Sequence, residues 1–112
     1  MPNAKSVVMS YLKQGMDFTS ISPVITPTKP LDDRELARAI RMSIAAEEDA
    51  ASVYELIADS TDNEDVKKIM NDVASEEITH AGEFKKLLSM ISKDEDKLIE
   101  QGEKEVEEKL GE

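Results

Sequence analysis

From residue 33 onward the apolar positions keep helical time. Val66, Met70, Val73, Glu77, His80, Phe84, Leu87 and Ile91 follow one another at intervals of 4, 3, 4, 3, 4, 3 and 4, the seam of a helix packed in a bundle. Upstream, Leu36, Ile40, Ile44, Glu47, Ala51, Tyr54 and Ala58 trace a similar stripe. Helix-start signals divide this region. Asp32 with Glu35, Thr61 with Glu64, and Ser92 with Glu95 each have capping-box spacing, in which two side chains take up orphan amides at a helix start. The pattern predicts helices over about 33–60, 63–91 and 94–110, and two long helices on a tight turn must lie antiparallel. The fold class is therefore all-α: a two-helix hairpin over 31–92 with a short acidic helix over 93–112. That last helix is interrupted by Gly102 and is expected to dock weakly through Leu98, Ile99, Val106 and Leu110.

Residues 1–30 read differently. The stretch NAKSVVMSYLKQG clusters Val7, Val8, Tyr11 and Leu12 on one side if helical. TSISPVITPTKP, with three prolines, favours an extended chain. Its net charge is +2, from Lys5, Lys13 and Lys29 against Asp17. It is expected to be an arm or linker that packs on something else.

The stripes are interrupted by ionisable residues. If the hairpin turns near residue 62, Glu47 lies fifteen residues before the turn and Glu77 fifteen after it. At about 1.5 Å per residue both sit roughly 22 Å from the turn, at one level. Two carboxylates and the chain's one histidine, His80, then meet in one layer. Left unpaired there, they would be costly, and like charges at close range force protonation unless a cation sits between them. A single E-x-x-H arises by chance roughly once in several chains this acidic, and a lone seam histidine is more often a hydrogen-bonded core residue than a ligand. The conjunction of seam position, spacing and a matching Glu at equal height favours a metal site. Glu76 and Glu83, within a turn of His80, are candidate alternative or outer ligands. Tyr54 is expected to pack beside the site, Glu48 and Asp49 to face solvent, and Gly82 either to admit a close helix or simply to be tolerated.

Composition narrows the chemistry. The net charge of −11 argues against a nucleic-acid binder, whose phosphates need Lys and Arg in excess. The absence of cysteine excludes disulfides, zinc–thiolate sites, iron–sulfur clusters and a rubredoxin-type iron centre. No apolar run could span a bilayer and no signal peptide is visible, so a cytoplasmic location is expected. Oxygen and imidazole donors leave iron, manganese or zinc, with a carboxylate-rich helical site favouring the first two. A di-iron carboxylate bundle takes one Glu from each of two helices and a Glu-x-x-His from each of two others. This chain supplies one of each, half a site. A two-fold homodimer would bring Glu47, Glu77 and His80 beside their symmetry mates.

The stretches AIRMSIAAEEDAASVYELIA and VKKIMNDVASEEITHAGEF resemble the half-ferritins of the rubrerythrin and ferritin-like superfamily, above all the encapsulated ferritin-like proteins, including the domain joined to encapsulin shells in some archaea. The likeness covers about residues 29–92 and rests on Glu47 followed seven residues later by Tyr54, thirty residues from Glu47 to Glu77, and the trailing GEF. The resemblance implies a ferritin-like four-helix bundle made by dimerisation, and rings of such dimers. It implies ferroxidase activity at a di-iron centre between subunits, with mineral held inside an encapsulin compartment. Carried over, Glu47 would be a terminal or chelating ligand, Glu77 the bridging carboxylate and His80 the terminal nitrogen ligand. The acidic groups that collect iron in some members are not matched, since Ala46 stands at one such place and Asp49 at the other. EEKLGE shows no clear shell-targeting peptide. Competing readings are a rubrerythrin-like peroxidase or manganese catalase, which the missing cysteines disfavour, and a metal-free dimerising helical module.

Overall fold

A computed structural model describes residues 29–111, so the expected arm falls outside the described residues except for Lys29 and Pro30. Three helices follow in order: α1 (Asp33–Asp59), α2 (Glu64–Ile91) and α3 (Lys93–Leu110). The described residues contain no strand, and none of their helices is long and apolar enough to cross a membrane.

The first start signal works as the sequence predicts. Asp32 Oδ1 accepts the Glu35 amide at 2.8 Å, and Glu35 Oε1 accepts the Asp32 amide at 3.3 Å. That amide hydrogen bond holds the Asp32 carboxyl below its ordinary value, as hydrogen bonds to a charged form do. The second box does not form. Asn63 caps α2 instead, its side-chain oxygen taking the amides of Asp65 and Val66. Thr61 is left to accept the Asn63 amide and tighten the turn. The third box fails as well. One residue, Ser92, both ends α2 and starts α3; its amide donates to the Leu88 carbonyl, its carbonyl accepts from Glu95, and its side chain caps nothing. Glu95, expected to reach back to Ser92, is drawn off by Arg41 at 2.6 Å. At the far end Gly111 adopts φ 77°, the left-handed close of a helix that glycine takes without a Cβ clash.

The hairpin core keeps Ala51 and Ala58 of the expected α1 stripe and corrects the expected α2 seam. The buried residues are mostly small: Ala37, Ala51 and Ala58 on α1 face Ala74, Ala81 and Leu88 on α2. These recur at intervals of seven or fourteen residues, so they return to one side of each helix. Alanine lets two helices approach closely, and the line of closest approach falls beside the large apolar residues rather than through them. Ile40, Ile44, Tyr54, Met70, Val73 and Phe84 are therefore only half-buried, and Val66 and Leu87 are exposed. Glu77 and His80, which the stripe would have buried, lie along this edge.

The expected docking of α3 is also overturned. Leu98, Ile99, Val106 and Leu110 are all exposed, Leu98 by 72%. Only the first turn of α3 meets the hairpin, through Arg41–Glu95 and a hydrogen bond from the Ser89 hydroxyl to Asp96. With a one-residue joint, the helix stands away from the hairpin. The described residues consequently extend 49 × 45 × 27 Å, whereas the hairpin helices, of 27 and 28 residues, each span only roughly 40 Å.

Candidate metal centre

Glu47 comes from the middle of α1, and Glu77 and His80 from the middle of α2, the last two one turn apart and so on neighbouring positions of one face. The antiparallel hairpin turns through residues 60–63, which brings both glutamates to the same height. One ligand atom from each of the three residues lies within 4.8 Å of the other two. His80 Nδ1 is 3.6 Å from Glu47 Oε2 and 3.7 Å from Glu77 Oε2. These separations are too long for good hydrogen bonds and suit groups arranged around a common point. The carboxylate side chains are 22% and 19% exposed and the imidazole 46%. The site lies on an open edge of the hairpin, not inside it.

The electrostatics of this edge are unfavourable as they stand. The Glu47 carboxyl is pushed above its ordinary value, first by hydrogen bonding with Glu77, then by loss of water and by the Glu77 charge, with His80 opposing the shift. A carboxylate hydrogen-bonded to another must keep a proton or acquire a cation. Among the described residues no lysine or arginine pairs with either of them. The donor set, two carboxylate groups and an imidazole with no thiolate, fits iron or manganese.

The other sequence candidates lie apart from this group. Glu76 and Glu83 are exposed, outside the cluster of three. Tyr54 is half-buried on α1, two turns from Glu47. Glu48 is exposed and pairs with Lys85 at 3.0 Å, and Asp49 is exposed. At Gly82 nothing lies within 4 Å of where a Cβ would sit, so no described part of the chain uses the close approach a glycine allows. Sequence reasoning missed the cation on the opposite flank. Lys85 lies eight residues from Glu77 on α2 and thirty-seven from Glu48, and no short-range spacing signals a pair across the hairpin.

The helical hairpin with two carboxylates and a histidine across it is the arrangement of a ferritin-like half-bundle. The chain belongs to the rubrerythrin family, whose model matches residues 39–111. Its relatives are more particular than that. It is 40% identical over 93 residues to a ferritin-like–encapsulin shell fusion protein of Pyrococcus furiosus, covering 82% of this chain and 27% of that protein. It is 42% identical over 80 residues to the encapsulin nanocompartment cargo protein EncC of Myxococcus xanthus, covering 71% of this chain and 58% of the relative. The chain thus spans less than two thirds of both curated relatives. Among solved structures, the crystal structure of the encapsulated ferritin domain from Pyrococcus furiosus superposes with a TM-score of 0.74 at 36% identity, covering 88% of this chain and 96% of that one. The fold is that of an encapsulated ferritin-like domain.

Proposed function

We propose that the protein is a ferroxidase that oxidises ferrous iron with dioxygen at a centre completed by two subunits, working as cargo of an encapsulin compartment. The observation that carries this reading is the unneutralised trio of Glu47, Glu77 and His80, within 4.8 Å of one another on an open edge of the hairpin. One chain offers two carboxylates and one imidazole. A two-fold mate doubles this to four carboxylates and two imidazoles, a donor set for two iron ions. As the family resemblance implies, Glu47 would be a terminal or chelating ligand, Glu77 the bridging carboxylate and His80 the terminal nitrogen ligand. The half-buried row along the same edge, including Tyr54, Met70, Val73 and Phe84, supplies the apolar surface that a mate would cover.

Iron is the substrate here. Two ferrous ions give one electron each to one dioxygen molecule, which takes up two protons and leaves as hydrogen peroxide, the iron becoming ferric. The carboxylates favour the ferric product through their negative charge, and the neutral imidazoles limit the total charge of the site. Because the Glu47 carboxyl is held above its ordinary value, cations arriving beside it compete with its proton, so binding releases protons and weakens as pH falls. The encapsulin partner and a place inside its shell are supported by the relatives, one a shell fusion protein and the other a nanocompartment cargo protein. A ring of dimers is the assembly proposed.

The test is to purify the protein without chelators, load it anaerobically with ferrous iron, admit air and follow ferric absorbance, then locate metal by anomalous scattering. Iron beside a two-fold axis and ligated by both chains is expected. Metal held wholly by one chain, or no oxidation above the protein-free rate, would sink the reading. Manganese with hydrogen peroxide disproportionation would move it to a catalase. Metal and assembly should also be linked. Ferrous iron that binds only the paired state stabilises it by about 2.7 kcal/mol at a hundredfold excess over its dissociation constant. Native mass spectrometry should therefore show more dimer with iron than without, and less gain for His80→Ala.

A further inference from the structure

Along the metal-centre edge, the layers on either side of the trio differ in chemistry. Ile40 lies seven residues before Glu47 and Phe84 seven after Glu77, so the two share one height on the side away from the turn. Tyr54 lies seven residues after Glu47 and Met70 seven before Glu77, so these share a height on the side toward the turn. Seven residues fall about 20° short of two full turns, which keeps all four on the edge, and all four are half-buried. One neighbouring layer is hydrocarbon alone. The other presents a phenol and a thioether, groups that oxidants attack.

Met70 stands about 10 Å along α2 from Glu77. The space between their side chains is narrower, because helical side chains lean toward the N-terminus of their own helix. The two helices run in opposite directions, so Glu77 leans toward Met70 and Tyr54 leans toward Glu47. A leucine or isoleucine would fill the same half-buried position with a better defined rotamer. What methionine adds is an oxidisable sulfur. The other methionines among the described residues sit off this edge. Met42 is half a turn round α1 from Ala51, and Met90, 61% exposed, is half a turn round α2 from Ala81.

We propose that Met70 is a modification site: it intercepts hydrogen peroxide leaving the metal centre and becomes the sulfoxide. The proposal rests on the ferroxidase reading, which supplies the peroxide. The thioether sulfur gives a lone pair to one peroxide oxygen and the O–O bond breaks. A sulfoxide forms, and the second oxygen leaves as water with both protons. Sulfur is oxidised by two electrons and the peroxide is reduced by two. A mate covering this edge confines peroxide formed at the centre and keeps bulk peroxide from Met70. Each chain can act once until its sulfoxide is reduced.

The test uses the full chain. Trypsin places Met42, Met70 and Met90 on separate peptides, cut after Arg41, Lys68 and Lys86, so mass spectrometry can follow oxygen uptake at each. Protein is given ferrous iron and air in repeated small additions, with catalase in solution to remove escaped peroxide. Met70 is expected to gain one oxygen several-fold faster than Met90. Hydrogen peroxide added to metal-free protein should reverse the order, since Met90 is the more exposed. In Glu77→Ala the preference for Met70 under iron and air should vanish. Without catalase, Met70→Leu should release about one further peroxide per chain over the first turnovers. Met90 level with or ahead of Met70 during iron turnover overturns the inference, as does a Met70 preference that survives Glu77→Ala, or equal peroxide release from Met70→Leu and wild type. Ferric absorbance separates this failure from that of the underlying reading. If iron is oxidised and Met70 stays unmodified, only this inference falls; if no iron is oxidised, both fall.

Discussion

The two flanks of one hairpin treat acids in opposite ways. On one, Glu48 is matched by Lys85 at 3.0 Å and Glu95 by Arg41 at 2.6 Å. On the other, Glu47 and Glu77 face each other with only an imidazole beside them. The helices, their length and their solvent are shared, so the difference lies in what was placed opposite each carboxylate. A flank optimised for the stability of a lone chain would not press two glutamates together. The ion-paired flank shows what the same backbone does with acids that have no further task. The unpaired carboxylates stand where the proposed function places its cations.

The largest break in this comparison comes from exchanging the two flanks' roles. Glu77→Ala should lower the initial rate of ferrous oxidation by more than about 100-fold, since losing even a partner of a metal ligand costs about 10- to 100-fold. Glu48→Ala should leave the rate nearly intact, because it loses only an exposed ion pair. Stopped-flow absorbance with both variants decides. Equal losses would mean that the functional register lies elsewhere on α2, with Glu76 the next candidate.

A smaller effect sharpens the electrostatic half. Because the folded state raises the Glu47 pKa, the folded protein holds that proton more tightly than the unfolded chain. Its contribution is thus most favourable at low pH and is lost as pH rises through the folded value. Glu47→Gln removes this penalty. Without metal the variant should match wild type near pH 4 and melt higher at pH 7, by about 4–8 °C for each kcal/mol of repulsion removed. Calorimetry in chelator at both pH values tests this. A variant that melts lower at pH 7 than wild type would show that the pair is not repulsive.

Packing supplies the next contrast. Ala58 is fully buried between the helices and Ile69 is 58% exposed on the outer side of α2. Ala58→Leu forces the helices apart and should cost about 1–3 kcal/mol. Ile69→Ala in dilute, metal-free protein should stay within about 0.5 kcal/mol. Urea unfolding of both would refute the alanine seam if the order were reversed.

How much of this was legible depends on range. Helix class and the common height of Glu47 and Glu77 could be read directly, because period and rise are local properties counted outward from a turn. The Asp32–Glu35 box was legible for the same reason. The boxes at Thr61 and Ser92 had equal spacing and did not form. At the first, Asn63 offered the amides a nearer oxygen. At the second, Arg41, fifty-four residues from Glu95, outbid Ser92. On α1 the expected stripe already held the buried Ala51 and Ala58, but on α2 it was misread by one step around the helix, with Ala74, Ala81 and Leu88 buried where Val73, His80 and Leu87 were expected. Hydrophobicity draws attention to Ile, Val and Phe, whereas closeness of approach is decided by Ala37, Ala51, Ala58, Ala74 and Ala81. Small residues look featureless in a hydropathy pattern. For this reason Glu47, Glu77 and His80 were expected inside a two-helix core and lie on its edge, where the proposed shared site would need them.

The smallest effect concerns the joint of α3. Arg41 and Glu95 form a short, geometrically good pair, but both side chains keep contact with water, at 48% and 20% exposure. Exposed pairs contribute about 0.2–1 kcal/mol, so Arg41→Ala should change the unfolding free energy by no more than that. Its structural consequence should be larger than its energetic one. Among the described residues, the side-chain bonds that hold α3 to the hairpin are this pair and Ser89–Asp96, with a single non-helical residue as the link. Removing Arg41 should free the angle of α3 while leaving α1 and α2 intact, and it should return Glu95 to the capping role its spacing from Ser92 predicts. Hydrogen exchange would report this as faster exchange confined to the first turns of α3. Pulsed electron–electron resonance between spin labels at Gln101 and Asp59 would show a broader distance distribution than in wild type, measured in both cases on dilute, metal-free protein. An unchanged distribution would mean that the one-residue joint at Ser92 sets the angle of α3 without help from the ion pair.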